Sequence, residues 1–395
     1  MAVTGNFNVG NSRSPLLNAN EIFATIYNMI ISQQVFSDNI KGIYGDLAAR
    51  FKTDGTLYGD TKLFYATDAL ESEAWTNKPT ALEPKKYTNG NILDTKIPAD
   101  PKCQYVQIDQ FRMIWLSLDN YLSKRAWSTE GAFSQFHAVM TGWMGETKRI
   151  YEATLINQYV GNTVSQANKA TVNIDVTSAI GDATGEEANR LEASAIAEGI
   201  ANLLVEMKDI SRDFNDYHFL RSYSGDDLLF VWNSKFVNKI KKIDLPTIFH
   251  KDGLVDKFEE NILPSRYFGR ALAESDFGEG KVIGADGAYD STKGTIRAAR
   301  EFTYNDVHYF AGDALATTGT YVGVVGGLEV ADVYLEVADV ICKVIHKSAV
   351  PFMSAFETET SFFNPRNLVE NKYLIWGYSQ PCYLYNYPFI TVKKA

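Results

Sequence analysis

Apolar residues fall into two rhythms along this chain, one near 3.6 residues and one of two or fewer, and the changes between them outline its elements. The changes come fastest between Ser211 and Leu254. Leu228 to Trp232, LLFVW, is a continuous apolar run of strand length, and Asn233 or Ser234 directly after it can accept the free amide hydrogens of a new helix. That helix sets Phe236, Val237 and Ile240 on one face against Lys235, Lys239, Lys241 and Lys242. Its lysines crowd the last turn, where carbonyl oxygens concentrate negative potential, and Pro246 closes it. The stretch reads as the middle of an α/β layer.

Upstream, Met1 to Ser14 is rich in Asn, Gly and Ser and reads as a mobile arm. Ile22, Phe23, Ile26, Tyr27, Ile30 and Ile31 then recur at helical spacing, an amphipathic piece that docks on its own subunit or on a neighbour. From Gly55 to about Cys103 the helical period fails, and Gly55, Gly59, Pro79, Pro84, Asn89-Gly90, Pro98 and Pro101 break the chain repeatedly. Short strand-like pieces remain, with Leu57, Tyr58, Leu63, Phe64, Tyr65, Trp75 and Tyr87. A two-stranded excursion covered by a neighbour accounts for them, because an isolated ribbon is at best marginally stable in water; an irregular surface loop or a small sheet within the monomer is the alternative. An arm of roughly 15 residues would reach ~50 Å.

Tyr105, Val106 and Ile108 give a weak strand signal. Ser128 or Thr129 with Glu130 marks a helix start, and Phe133, Phe136, Met140, Trp143, Met144, Ile150, Tyr151, Leu155 and Ile156 keep a period near 3.6 to about Tyr159. Such a helix is ~45 Å long, more than a typical globular one. Gly142 and Gly145 within it mark a bend or a close contact. Ala170 to Thr177 alternates as a strand, and Glu186 and Glu187 open a helix carrying Leu191, Ile196, Ile200, Leu203, Leu204 and Met207. Pro264 to Gly327 is a region of turns and short strands, and Ser354 to Val392 is an aromatic, β-rich ending.

The order of turn, LLFVW-type strand, capped basic helix and DLPTIF-type turn resembles the central axial domain of tailed-phage major capsid proteins of the Hong Kong ninety-seven type. In pattern it is nearest to those of small short-tailed phages of the phi-twenty-nine type and their gut-phage cousins. The run QIDQFRMIWLSLDNYLSKRAWSTEGAFSQF, from Gln107 to Phe136, is similar to the passage from that family's extended loop, through a short helix at LSLDNYLSKRAW, into its longest helix. The resemblance covers about Leu57 to Leu263 and Glu336 to Val392. It implies an α+β fold with an N-terminal arm and helix over 1–54 and an extended β-hairpin loop over 55–110. A peripheral domain would comprise 111–190 and 361–395, with its spine helix at about 129–159. An axial domain would comprise 191–263 and 336–360, with an insertion at 264–335.

Composition bounds the function. At 395 residues the chain suggests two or three units. Its 38 basic and 48 acidic residues give a net charge of −10, which argues against a protein that grips nucleic acid by neutralising phosphates, though not against one that encloses it. No apolar run of about 18 residues appears, so no membrane span is expected, and Met1 to Asn20 lacks the basic start and apolar centre of a secretory signal. Cys103, Cys342 and Cys382 are few, odd in number and far apart, which favours a reducing cytosol over a disulfide framework.

Candidate chemistry is thin. Gly278, Gly280 and Gly284 have neither the dinucleotide nor the Walker spacing, and no G-x-S-x-G elbow occurs. His137, His218, His250, His308 and His346 are unpaired with one another, and Cys342 with His346 supplies only two ligands where zinc takes four. Asp226-Asp227 before LLFVW occupies a position where a catalytic acid could sit, and a solvated turn explains it as well.

No enzyme, cofactor or metal is therefore expected. The resemblance implies a major capsid protein that builds an icosahedral or elongated phage head from hexamers and pentamers of itself. A portal and a separate scaffolding protein would be its partners, and it would enclose double-stranded DNA without sequence-specific binding. It would be made and assembled in the host cytoplasm and reside in the virion. Candidate subunit-interface residues are Phe7, Ile22, Ile26, Tyr58, Phe64, Trp75, Tyr87, Lys241 and Lys242. The alternatives are another structural protein, such as a tail component or surface-layer protein, and an α/β enzyme using Asp226 or Asp227.

Overall fold

The structure is a computed structural model that describes residues 47–53, 55, 59–70, 100–119, 130–241, 261–276, 294–315 and 328–395. A short helix, α1 (Leu47–Phe51), precedes β1 (Thr61–Ala66), which pairs antiparallel with β2 (Lys102–Asp119). The long helix α2 (Glu130–Asn162) follows, then β3 (Thr171–Ile174), α3 (Val176–Ile180) and α4 (Glu186–Lys208). β4 (Leu228–Asn233) runs directly into α5 (Ser234–Lys241). Short strands come next: β5 (Ile262–Leu263), β6 (Gly269–Arg270), β7 (Ile296–Ala298), β8 (Phe302–Tyr304) and β9 (Val307–Tyr309). The remaining strands are β10 (Val333–Glu336), β11 (Val340–His346), β12 (Ser354–Asn364), β13 (Val369–Ser379) and β14 (Phe389–Lys394).

A five-stranded sheet has the order β3-β14-β11-β4-β5. β11 is antiparallel to both neighbours, while β3 and β5 join their neighbours in parallel. Every side chain of β4 is buried. Leu228, Phe230 and Trp232 share a core with Ile196, Ile200, Leu203 and Met207 of α4 and Phe236 and Val237 of α5. Leu229 and Val231 share another with Ile156 and Val160 of α2. Cover on both faces is why LLFVW is a solid apolar run rather than an alternation. Asn233, not Ser234, caps α5: its Oδ1 accepts from the Lys235 amide at 3.0 Å, while its Nδ2 donates to the Val340 carbonyl at 2.9 Å.

A second, four-stranded sheet, β1-β2-β13-β12, is antiparallel throughout. Its inner face carries Ile114, Leu116, Leu374, Trp376 and Tyr378 against Met144 and Tyr151 of α2. The 33 residues of α2 span ~50 Å, and its Met144, Tyr151, Ile156 and Val160 share one core with Leu229 and Val231 of the five-stranded sheet and Leu374, Trp376 and Tyr378 of the four-stranded one. The helix runs unbroken through Gly142 and Gly145, and a Cβ at either would meet nothing within 4 Å. The close contact lies at Gly161, where a Cβ would fall 2.0 Å from the Tyr267 carbonyl oxygen.

One cation is buried in this layer. Lys343 of β11 is 1% exposed, and its Nζ donates to the Thr163 carbonyl at 2.8 Å, just past the end of α2, and to Thr391 Oγ1 of β14 at 2.7 Å.

The small strands β6, β10 and β7 form a separate three-stranded sheet, and β8 and β9 form a hairpin. Leu272, Ile296, Ala298, Leu315, Leu328, Val333 and Leu335 give this unit its own core. It matches the turns and short strands expected between Pro264 and Gly327, of which 277–293 and 316–327 lie outside the described residues.

Two expectations are corrected. Leu116 to Asp119, expected in a short helix, are the end of β2, because the alternating side chains of 110–119 pair residue by residue with β13; 120–129 lie outside the described residues. Val176 and Thr177, expected in a strand, begin α3, because Asp175 accepts from the Ser178 amide at 2.9 Å and caps a helix there. The aromatic ending divides between the sheets: β13 joins the four-stranded one, while β14 pairs with β11 and β3 in the sheet of β4.

Candidate assembly surface

β2 is apolar on both of its faces. Val106, Ile108 and Leu118 are buried and Ile114 and Leu116 pack on the core, whereas Tyr105, Phe111, Met113 and Trp115 point the other way. Trp115 is 70% exposed, Met113 54% and Phe111 50%. Residues directly opposite across an antiparallel pair share a face. Ile375 stands opposite Met113 and Tyr373 opposite Trp115 on β13. Ser117, Asn371 and Phe362 make the next row, with Ser117 Oγ donating to Asn371 Oδ1 at 2.6 Å. On the β1–β2 ribbon, Leu63 stands opposite Tyr105 and Tyr65 opposite Cys103, and all of these are exposed.

Two bare apolar patches result, one on the sheet and one on the ribbon, separated by the polar Gln107 and Asp109. The register with β13 slips at Asp109, which stands between the Gln110–Tyr378 and Ile108–Ser379 pairs, and a bulge of this kind bends the strand. Seven exposed side chains, mostly aromatic, leave on the order of 700–900 Å² of apolar surface. Together the two patches offer about one partner's share of a standard protein interface, ~800 Å². Aromatic and Met side chains without charge are the composition of an interface centre.

The inner face is fastened to the rest of the body. Arg112 Nη2 meets Glu301 Oε2 at 2.6 Å, and the other Glu301 oxygen faces His308 Nε2 at 3.0 Å, which ties the small unit to β2. The Arg112 guanidinium lies 4.0 Å over the Tyr151 ring. Tyr151 and Tyr378 share a buried hydroxyl pair at 2.6 Å, and burial together with that bond raises the Tyr151 pKa well above the ordinary phenol value.

The residues singled out from sequence distribute unevenly. Phe64 is half-buried and packs inward on Val106, Ile108, Met353 and Leu384, so Leu63 and Tyr65 take the outward positions beside it. Lys241 ends α5, and its side chain lies outside the described residues, as do Phe7, Ile22, Ile26, Tyr58, Trp75, Tyr87 and Lys242. Sequence reasoning missed Tyr105, Phe111, Met113, Trp115 and Phe362. The signal was present in FRMIWLSL, apolar at both parities in a strand with only one face on a helix.

Chemical alternatives find little support. Asp226 and Asp227 lie exposed in a single 3-10 turn before β4. Cys342 and His346 lie four residues apart on β11, which puts them ~13 Å from each other. His346 stacks on Tyr387 at 4.2 Å, and burial lowers its pKa. Among the described residues no three His, Cys, Asp or Glu side chains converge as a metal site requires, and no helix is long and apolar enough to cross a membrane.

Solved phage structures share this fold. The fold matches a chain in the structure of the head fiber and inner core protein gp22 of native bacteriophage P68, with a TM-score of 0.55, 12% identity, and 89% of this chain and 85% of that chain covered. It also matches a chain of the capsid of Staphylococcus phage Andhra, with a TM-score of 0.53, 11% identity, and 89% and 85% covered. The fold is thus that of Hong Kong ninety-seven-type phage capsids. No curated protein sequence matches the chain. The pattern of the family described as Phi29-like phage major capsid protein matches residues 8–376, nearly the whole chain. The chain therefore belongs to the Phi29-like phage major capsid protein family, whose members form the capsid shell of the virion.

Proposed function

We propose that the chain closes its shell through hexamers and pentamers, with the outward face of the four-stranded sheet and the β1–β2 ribbon as contacts between neighbouring subunits. The observation that carries this reading is the bare apolar face itself, from Leu63 and Tyr65 to Trp115 and Phe362. On this reading the five-stranded sheet with α4 and α5 is the axial domain that meets its copies at capsomer centres. The four-stranded sheet with α2 is the peripheral domain, and the small unit of β6 to β10 is an insertion. Many modest contacts repeated around a closed shell add up to a stable particle. The function is structural, without turnover. Its partners are a portal and a scaffolding protein, assembly takes place in the host cytoplasm, and the DNA is enclosed rather than gripped, in keeping with the net charge of −10.

The test is expression of the full chain in a bacterium, followed by size-exclusion chromatography and negative-stain microscopy. Rings and incomplete or uneven shells are expected from the wild type, regular ones requiring the scaffold, and at least tenfold fewer from Trp115→Ser at unchanged folded yield. A wild-type protein that stays a solitary monomer, or a Trp115→Ser variant that assembles normally, overturns the reading.

A further inference from the structure

The β1–β2 ribbon runs from the Thr61–Gln107 pair to the Ala66–Lys102 pair, and a polar clamp grips both strands at the latter end. Asp68 Oδ1 accepts from the Leu220 and Ala69 amides, each at 2.8 Å, and Asp68 Oδ2 accepts from Arg212 Nη1 at 2.5 Å. Arg221 Nη2 donates to the Thr67 carbonyl at 2.5 Å. On the other strand, Gln104 Nε2 donates to the Tyr383 carbonyl at 2.8 Å, and its Oε1 accepts from the Tyr385 amide at 3.0 Å.

What the clamp holds onto is stiff. Ser211 and Arg221 exchange backbone hydrogen bonds at 2.9 and 3.0 Å. Asn215, fully buried, makes two bonds of 2.8 Å to the Phe219 backbone. His218 holds a φ of 54° while its carbonyl accepts from Arg212 at 2.8 Å. The Asp216 amide donates to Tyr385 O at 2.9 Å, and the Tyr383 hydroxyl donates to Asp216 Oδ2, so the 211–221 platform and the 383–385 segment brace each other.

A surface carboxylate with three donors on it is more than a solvated face needs. We propose that Asp68 is a positioning residue for assembly: with Arg212 and Arg221 it sets the angle at which the ribbon, carrying Leu63, Tyr65 and Tyr105, stands on the 211–221 platform. The amide of Leu220 and the Arg212 guanidinium hold the Asp68 carboxyl down at about 2, so the clamp stays charged throughout the range in which proteins assemble. The bulge at Asp109 leaves the ribbon a separate direction from the sheet, and the clamp then fixes that direction. The inference rests on the reading that this face contacts neighbouring copies.

The experiment compares Asp68→Ala, Asp68→Asn and Arg212→Gln with the wild type in the bacterial assembly assay, with particle diameters measured by electron microscopy. Asp68→Ala is expected to fold, with a melting temperature within about 3 °C of the wild type, and to give ordered particles at least tenfold less often, with a broadened diameter distribution. Asp68→Asn keeps an acceptor for the Leu220 amide and is expected to restore part of the uniformity, and Arg212→Gln to match it. A contribution to folding alone would lower soluble yield while leaving particle diameter unchanged, and that outcome overturns the proposal. So does normal assembly of Asp68→Ala alongside defective Trp115→Ser; normal assembly of Trp115→Ser overturns the reading beneath it.

Discussion

Lys343 gives the body a dependence on pH that can be worked out in advance. Its ammonium is buried between α2 and the five-stranded sheet with two neutral acceptors, the Thr163 carbonyl and the Thr391 hydroxyl, and with the Phe389 ring 5.8 Å away. Burial, and after it the positive charge of Lys393, pull its pKa from 10.5 down to about 7. Because the folded pKa lies below the unfolded one, between pH 7 and 10.5 the unfolded chain binds a proton that the native chain does not. Stability therefore rises with pH across that window, and below pH 7 the full cost of the buried charge persists. At about 1.4 kcal/mol per pH unit the group opposes folding by roughly 4 kcal/mol at pH 7, of which about 2 kcal/mol is regained by pH 9.

Lys343→Met keeps most of the aliphatic stem and abolishes the titration. It leaves the Thr163 carbonyl and the Thr391 hydroxyl short of a donor, which costs ~1–3 kcal/mol. The variant is expected to be more stable than the wild type by about 1–3 kcal/mol at pH 7 and to lose that advantage by about pH 10. Urea unfolding of the unassembled protein, followed by tryptophan fluorescence at pH 7, 8 and 9, measures both slopes. Parallel pH profiles for the two proteins would sink the reasoning, since every other titrating group is common to both.

Other substitutions probe the packing more directly. Gly161→Ala drives a methyl against the Tyr267 backbone carbonyl, a contact with no flexible side chain to yield, and is expected to lower the unfolding free energy by about 3 kcal/mol in the same urea assay. Asn233→Ala removes the cap of α5 and orphans the Val340 carbonyl; a loss of ~2–3 kcal/mol is expected, with the helical circular dichroism slightly reduced. Leu368 sits at a φ of 56° in the turn between β12 and β13, so Leu368→Asn is expected to raise stability by ~0.5–1 kcal/mol, read as a higher melting temperature. A fall in melting temperature would show that the exposed leucine side chain makes a contact worth more than the relief.

Local and periodic features of the sequence were enough for the long helices α2 and α4, for α5 and for β4. The start of α2 at Glu130, the acidic opening of α4 at Glu186 and the run from LLFVW into a capped helix were all legible, because a helix or a doubly covered strand is specified by residues near one another in the chain. The order of these pieces was enough to suggest the capsid fold. The outward face was not legible in the same way. FRMIWLSL suits a helix passage or a strand until its partner is known, and that partner, β13, lies some 250 residues further on. Pairing with β13 turned Phe111, Met113 and Trp115 to one side, and the placement of α2 under the other side decided that they, rather than Ile114 and Leu116, would be left bare.

The clamp at Asp68 and the buried amine of Lys343 belong to the same class. Nothing within a few residues of either foretells the Leu220 amide or the Thr163 carbonyl, which chain folding brings in from about 150 and 180 positions away. Periodicity thus determined the long helices and β4, and the order of the segments carried the resemblance to the family. Only tertiary pairing decided which apolar residues meet water, because a strand offers two equivalent faces and long-range partners choose between them.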